Sequence, residues 1–193
     1  GLRAASAGGF GHVFVVPTTT PVVDNKGQVN YIKVEGNGQH TSIYPIGTIT
    51  KSAQGESLSE MYDMYNEGVR FFSDDTHNVS KEILLRALLY TKNFGGRVIS
   101  FPQDNSLSVN GQVNEGITSL RTGLKAIPAI GEEIQVQTNL SILEYSAGSL
   151  HITGISTAKS VDLIREAKRK GLDVTCDVHV HQLLFTEEDV LTF

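Results

Sequence analysis

The residues best equipped for chemistry lie late in the chain, in Asp177-Val178-His179-Val180-His181. On a strand, alternation would place both imidazoles on one face, the arrangement by which two rings and a carboxylate can share a metal ion. A second acidic pair, Asp74-Asp75, closes the apolar run ending at Phe72 and Ser73, so a strand there would present a carboxylate at its tip. His12, His40 and His77 stand alone, and lone histidines read as solvated or core-satisfied rather than as ligands. The single cysteine, Cys176, excludes an internal disulfide and suits a reducing cytoplasm. Placed mid-strand, it reads as a small buried hydrophobe.

The bulk composition narrows the classes of function. The 193 residues carry a formal net charge of −5 and a hydrophobic fraction of 39%, suited to one domain spanning residues 1–193. Nucleic acid is not an expected partner, because the densest basic run, residues 165–170, reads as the exposed C-terminal end of a helix. No apolar stretch approaches the roughly 20 residues of a membrane span, and no signal peptide opens the sequence. The opening Gly1-Leu2-Arg3, without methionine, reads as a processed, cut or partly disordered chain rather than a complete one.

The elements that must position these groups follow from the apolar pattern. Strands are expected at residues 12–16, 43–49, 69–72, 97–101, 150–153 and 173–178. Residues 24–40 are polar and glycine-bearing and read mainly as loop. Ser57-Leu58-Ser59-Glu60 has the form of a capping box, leading into a helix whose apolar face is Leu58, Met61, Tyr62 and Tyr65. A helix beginning near Ser80 carries Ile83, Leu84, Ala87 and Leu88 at helical spacing and closes at Gly95-Gly96. After a long loop, Pro128 opens another helix with Glu132 and Glu133 in its first turns. A further helix covers residues 159–170, and Thr186-Glu187-Glu188-Asp189 begins one more.

Strand and helix therefore alternate at least five times, which points to parallel βα units. An open doubly wound sheet and a closed barrel both use that order. The glycine-rich Gly8-Gly9-Phe10-Gly11 precedes the first strand, where it cannot cradle a phosphate at a helix N-terminus. It reads as a helix-to-strand turn, and the barrel is favoured.

Several motifs then carry a family resemblance. Residues 3–10 (Arg-Ala-Ala-Ser-Ala-Gly-Gly-Phe), Pro17-Thr18-Thr19-Thr20-Pro21 with Val22-Val23-Asp24-Asn25, Phe72-Ser73-Asp74-Asp75 and Val113-Asn114-Glu115-Gly116 occur in order. Gly123-Leu124-Lys125-Ala126-Ile127-Pro128-Ala129, Ile155-Ser156-Thr157-Ala158 and residues 174–189 follow. Together they resemble the dihydroorotases, cyclic amidohydrolases of the amidohydrolase superfamily, along the whole chain. The resemblance implies a (β/α)8 barrel of the metal-dependent hydrolase kind, incomplete here because a whole barrel takes about 250 residues.

The same resemblance implies that the metal-holding positions are changed. Ser100-Phe101-Pro102-Gln103-Asp104 stands where the family has Ser-His-Cys-Glu-Asp, so Phe101 replaces a metal histidine. His151-Ile152-Thr153-Gly154-Ile155-Ser156-Thr157 stands where the family has His-x-x-His-x-Ser-Thr. His151 is thus retained, but it is not the ligand; the ligand position is Gly154. Thr18 replaces the family's substrate-binding asparagine. The retained matches are Asp75, or alternatively Asp74, at the metal-bridging carboxylate, with Asn114, His151 and His181. His181 aligns with a later Pro-His-His segment, which makes the Asp-x-His-x-His string a structural remnant. The family's first-strand His-x-His pair and late metal aspartate fall outside this chain.

The expectation is a catalytically impaired dihydroorotase homologue of pyrimidine biosynthesis, with no cofactor. By the resemblance it would act as a structural partner of aspartate carbamoyltransferase and self-associate. The alternative is an active zinc-dependent dihydroorotase or other cyclic amidohydrolase with an altered metal site, for example one metal held by His179, His181 and Asp75.

Overall fold

A computed structural model describes residues 1–192 of the chain, so the last residue of the expected domain, Phe193, lies outside the described residues. Helix α1 (Leu2–Ala7) leads into strand β1 (His12–Val15), followed by α2 (Lys26–Glu35), β2 (Ser42–Pro45), α3 (Met61–Asn66) and β3 (Phe71–Phe72). Next come α4 (Lys81–Lys92), β4 (Arg97–Ser100), β5 (Val113–Asn114), α5 (Ile117–Thr122), β6 (Ala126–Ile127) and α6 (Ile130–Ser146). The order closes with β7 (Leu150–Ile152), α7 (Ala158–Arg169) and β8 (Val174–Cys176), then two 3-10 turns, Val180–Leu183 and Glu187–Thr192.

Strands β3, β4, β7 and β8 form one sheet in that order, and β1 pairs with β2. Every pairing is parallel, and a parallel bridge from Gly47 to Phe72 joins β2 to β3. Six strands thus follow one another in a continuous arc with helices on its outer side, an open portion of a βα barrel. The short parallel pair β5–β6 is an excursion between β4 and α6.

Alternation along the strands separates two layers. Phe72, Val98, Leu150, Ile152 and Val174 point outward into a buried core with Ile83, Leu84 and Leu88 of α4, Val136 and Leu143 of α6, and Ile164 of α7. Each such side chain contributes roughly 1.5–3 kcal/mol by leaving water. The helices begin where side chains can satisfy free N–H groups. Ser80 Oγ accepts from Ile83 N at 3.2 Å, and Thr157 Oγ1 accepts from Ser160 N at 3.2 Å.

Several sequence expectations need correction. Residues 26–35 are helical, because Asn25 accepts from the backbone of Gly27 and Gln28 and starts α2. Ser57 and Glu60 form no capping box; α3 starts at Met61, and Leu58 sits in an antiparallel bridge with Thr50. On α3 the interior is filled by Met61 and Met64, whereas Tyr62 is exposed. The loop expected between residues 101 and 128 contains β5, α5 and β6. Residues 177–181 lie beyond the end of β8, so strand alternation does not set their side chains. Cys176 is the last residue of β8 and only half-buried.

Candidate functional site

Two cavities flank the C-terminal ends of the strands. The inner one, about 710 Å³, lies on the concave face, with an apolar wall of Phe14, Val16, Ile46 and Phe71. Its polar wall is Ser73, Asp75, Arg97, His151, Thr153, Thr175 and Asp177. The rim cavity, about 760 Å³, is lined by Phe101, Asn114, Glu132, Gly154, Lys159 and His179 among others. The family-matched positions are therefore divided: Asp75 and His151 face the inner cavity, while Asn114, Phe101 and Gly154 face the rim.

The two adjacent aspartates have separate tasks. Asp74 is buried, and Oδ1 accepts from the backbone N–H of Ile49 at 2.8 Å and of Thr50 at 3.0 Å. The Thr50 hydroxyl donates to its Oδ2. Burial pushes the Asp74 carboxyl above the usual range, against the pull of these donors. Asp74 thus ties the β3 tip to the segment after β2, which answers the question of which aspartate faces the cavity. Asp75, at φ 60°, is the one that does. Its Oδ2 accepts from the hydroxyl of Thr18 at 2.5 Å. Two residues singled out by the resemblance, Thr18 and Asp75, are thus bonded to each other.

Gly154, which the resemblance would align with a metal ligand, has φ 72°, a conformation that costs an L-residue roughly 1–2 kcal/mol. A Cβ there would lie 2.5 Å from His179 Nε2 and 3.0 Å from its Cε1. The imidazole of His179 therefore occupies the space into which a side chain at 154 would project. Phe101 is half-buried on the rim-cavity wall and has no lone pair to offer a metal.

Asp177, which the sequence placed inside a metal-like string, is instead the centre of a hydrogen-bond network. Oδ1 accepts from Gly154 N at 2.7 Å and Thr153 Oγ1 at 3.0 Å, and Oδ2 lies 3.1 Å from His151 Nε2. Partial burial raises its carboxyl, but the Gly154, His151 and Thr153 donors outweigh this and hold it below the usual range. Glu132 plays a similar part on the rim. It accepts from the backbone and hydroxyl groups of Ser156 and Thr157, four donors within 3.1 Å, and they hold its carboxyl low despite its burial. The sequence showed Glu132 only as a first-turn acid of α6; its loop partners lie 24 and 25 residues away and left no local signal.

The expected alternative metal site does not form. His179 and His181 are exposed and stack, ring centroids 5.3 Å apart and planes 14° from parallel, with His179 on the rim cavity and Asp75 on the inner one. Among the described residues, no group of three or more His, Cys, Asp or Glu side chains is arranged to hold a metal ion. The residues present therefore do not fit a zinc centre. The other histidines are peripheral: Tyr44 Oη is 3.3 Å from His12 Nδ1, His77 Nδ1 is 3.2 Å from Asp74 O, and His40 is exposed. Among the described residues, no helix is long and apolar enough to cross a membrane.

Comparison with known proteins fits this architecture. A family model described as Dihydro-orotase-like matches residues 1–160. The dihydroorotase of Pelotomaculum thermopropionicum is 43% identical over 194 aligned residues, covering 100% of this chain and 45% of the relative. That of Caldicellulosiruptor saccharolyticus is 40% identical, again covering 100% of this chain and 45% of the relative. The chain thus spans just under half the length of the curated relatives it matches. Among solved structures, the L-hydantoinase (dihydropyrimidinase) from Arthrobacter aurescens superposes with a TM-score of 0.78 at 16% identity, over 98% of this chain and 44% of that one. At that identity the likeness concerns the fold, an incomplete (β/α)8 barrel.

Proposed function

The chain belongs to the dihydroorotase-like family, and from that premise we propose that its parent protein is a dihydroorotase homologue of pyrimidine biosynthesis with impaired or absent hydrolysis. The observation that carries this reading is the Gly154–His179 contact. Position 154 lacks a ligand, adopts a left-handed conformation, and has a neighbouring ring in the space a ligand would need. Phe101 removes a second imidazole, and Thr18 ties up Asp75.

Opening a cyclic amide at neutral pH calls for a hydroxide, and in this family metal ions supply it. Water with no metal keeps a pKa far above neutrality, so hydroxide is scarce at pH 7. The two cavities offer polar groups that could orient a polar ring, but among the described residues no group of three or more His, Cys, Asp or Glu side chains is arranged to hold the metal that would supply that nucleophile. A barrel that keeps its outer layer and loses its chemistry retains its surface, and a structural role beside aspartate carbamoyltransferase, with self-association, fits that remainder.

The test uses the full-length protein purified without added zinc. Elemental analysis should find well under one metal per chain, and dihydroorotate turnover should stay at background. About two equivalents of zinc with clear turnover would sink the reading and favour an active enzyme with an altered ligand set. Sizing with the same organism's aspartate carbamoyltransferase should show a shared peak; separate peaks at micromolar concentration would remove the partner role.

A further inference from the structure

The concave face of β4, β7 and β8 carries a polar line that neither the resemblance nor the proposed function explains. Ser149 Oγ donates to Asp173 Oδ2 at 2.6 Å, and Arg97 Nη2 donates to Asp173 Oδ1 at 2.8 Å. Arg97 Nη1 donates to Thr175 Oγ1 at 3.0 Å, and that hydroxyl lies 2.8 Å from His151 Nδ1. His151 Nε2 faces Asp177 Oδ2 at 3.1 Å, and Asp177 Oδ1 receives the Gly154 N–H at 2.7 Å. The line climbs the inner wall from the N-terminal end of the strands to the rim.

The polarity of this line follows from which groups can only donate and which can only accept. A guanidinium has no acceptor, and an ionised carboxylate has no donor. Thr175 Oγ1 already accepts from Arg97, which leaves its own proton free to point at His151 Nδ1. An ionised Asp177 needs a proton on the nitrogen facing it. The Asp177 end fixes a proton on Nε2, and donation from the Thr175 hydroxyl to a bare Nδ1 completes a neutral ring of that tautomer. The opposite tautomer would set the lone pair of Nε2 against a carboxylate oxygen.

We infer that His151 is a positioning residue, held as the Nε2–H tautomer between Thr175 and Asp177, through which Arg97 and Thr175 steady the Thr153–Gly154 turn at the rim. The chain of donors runs one way, Arg97 to Thr175 to His151 to Asp177, and it closes on the carboxylate that grips the Gly154 amide. It replaces bulky apolar filling, the usual content of a barrel interior, with a self-satisfied polar strut. His151 is thus kept for the turn rather than for a metal.

The test labels the full-length protein with 15N-histidine and reads its side-chain correlations at about pH 8, above the ordinary imidazole range. His151, assigned by its loss in His151→Gln, should show a single Nε2–H tautomer. A protonated Nδ1, with or without a protonated Nε2, overturns the proposal. The second reading is amide exchange at Gly154, which Thr175 does not touch. Thr175→Val should speed it by roughly two- to tenfold, the equivalent of one net hydrogen bond, and Thr175→Ser should restore it. If Thr175→Val leaves Gly154 unchanged, or speeds all protected amides alike, the strut is not acting and the inference fails. Zinc distinguishes this inference from the proposed function: a His151 signal displaced by zinc refutes the strut, whereas zinc held elsewhere with His151 unmoved refutes only the metal-free reading.

Discussion

The two faces of the same strands have been put to different uses. On the outer face, Phe72, Val98, Leu150, Ile152 and Val174 are buried and apolar, as a sheet covered by helices requires. On the inner face, one residue away in each strand, Phe71, Ile99, His151 and Thr175 border an open cavity, and its polar members bond to one another. The outer layer depends on volume and apolarity, which many sequences satisfy. The inner face and rim depend on particular functional groups, and there lie Phe101, Gly154 and Thr18, which the proposed function takes as departures from the family. The fold and the chemistry of a barrel are thus separable along a single strand.

The sharpest contrast is between outer packing and inner wall. Phe72 is fully buried and meets Phe94 edge-on at 6.2 Å. Phe72→Ala should cost about 3–5 kcal/mol, the usual range for a buried aromatic. Ile99→Ala, on the cavity wall, should cost clearly less. Denaturant midpoints of the two variants in the full-length protein decide it, and equal losses would break the contrast. Next in size is the pair of neighbouring aspartates. Asp74→Ala strands two buried backbone donors at about 1–3 kcal/mol each, whereas Asp75→Asn keeps the left-handed backbone and should stay within about 1 kcal/mol. Comparable unfolding free energies would show that Asp74 is not the anchor its bonds make it.

The same division explains what the sequence revealed. Strands β3, β4, β7 and β8 were readable because the outer face writes an apolar signal into Phe72, Val98, Leu150 and Val174. Helix α2 was not, because its only buried residue is Val29 and its start depends on the side chain of Asn25. Asn25 is an ordinary capping type, so a search for caps rather than apolar faces would have found it. The pairs β5 and β6 are two residues each, too short for any period to register. At the site, the resemblance singles out Phe101, Gly154 and Thr18, but not what each one touches. That Thr18 would bond to Asp75, 57 residues on, or that His179 would fill the space beside Gly154, is tertiary geometry with no local trace.

A smaller effect is expected where Gly154 meets His179. Gly154→Ala brings both backbone strain of roughly 1–2 kcal/mol and a Cβ 2.5 Å from an imidazole nitrogen. His179→Ala is exposed and should cost little alone. In the double variant the clash disappears while the strain stays, so its loss should fall short of the sum of the two single losses. Strict additivity in this cycle would mean the ring moves aside freely. The same logic bears on rebuilding a metal site: Phe101→His with Gly154→His should bind zinc better when His179→Ala is added.

The smallest effect separates the faces by pH. Asp177 and Glu132 both have carboxyls held below their ordinary range by several donors. A depressed carboxyl contributes stability that is fully present above its unfolded value, about 4 for either residue type. That contribution is lost as pH falls through the folded value, because the unfolded chain then binds the proton more readily. Asp74 has the opposite sign, since its raised carboxyl favours the folded state as acid is added. The rim should therefore weaken below about pH 4 while the apolar outer layer, which carries no titrating group, does not. Glu132→Gln with Asp177→Asn should be less stable than the parent at neutral pH and lose less on acidification to about pH 3. Asp74 is unchanged in both proteins, so its contribution cancels in the comparison. Thermal melts of parent and variant at the two pH values provide the measure. If both fall by the same amount, the acid sensitivity lies elsewhere and the rim carboxylates are not what holds the turns at Gly154 and Ser156.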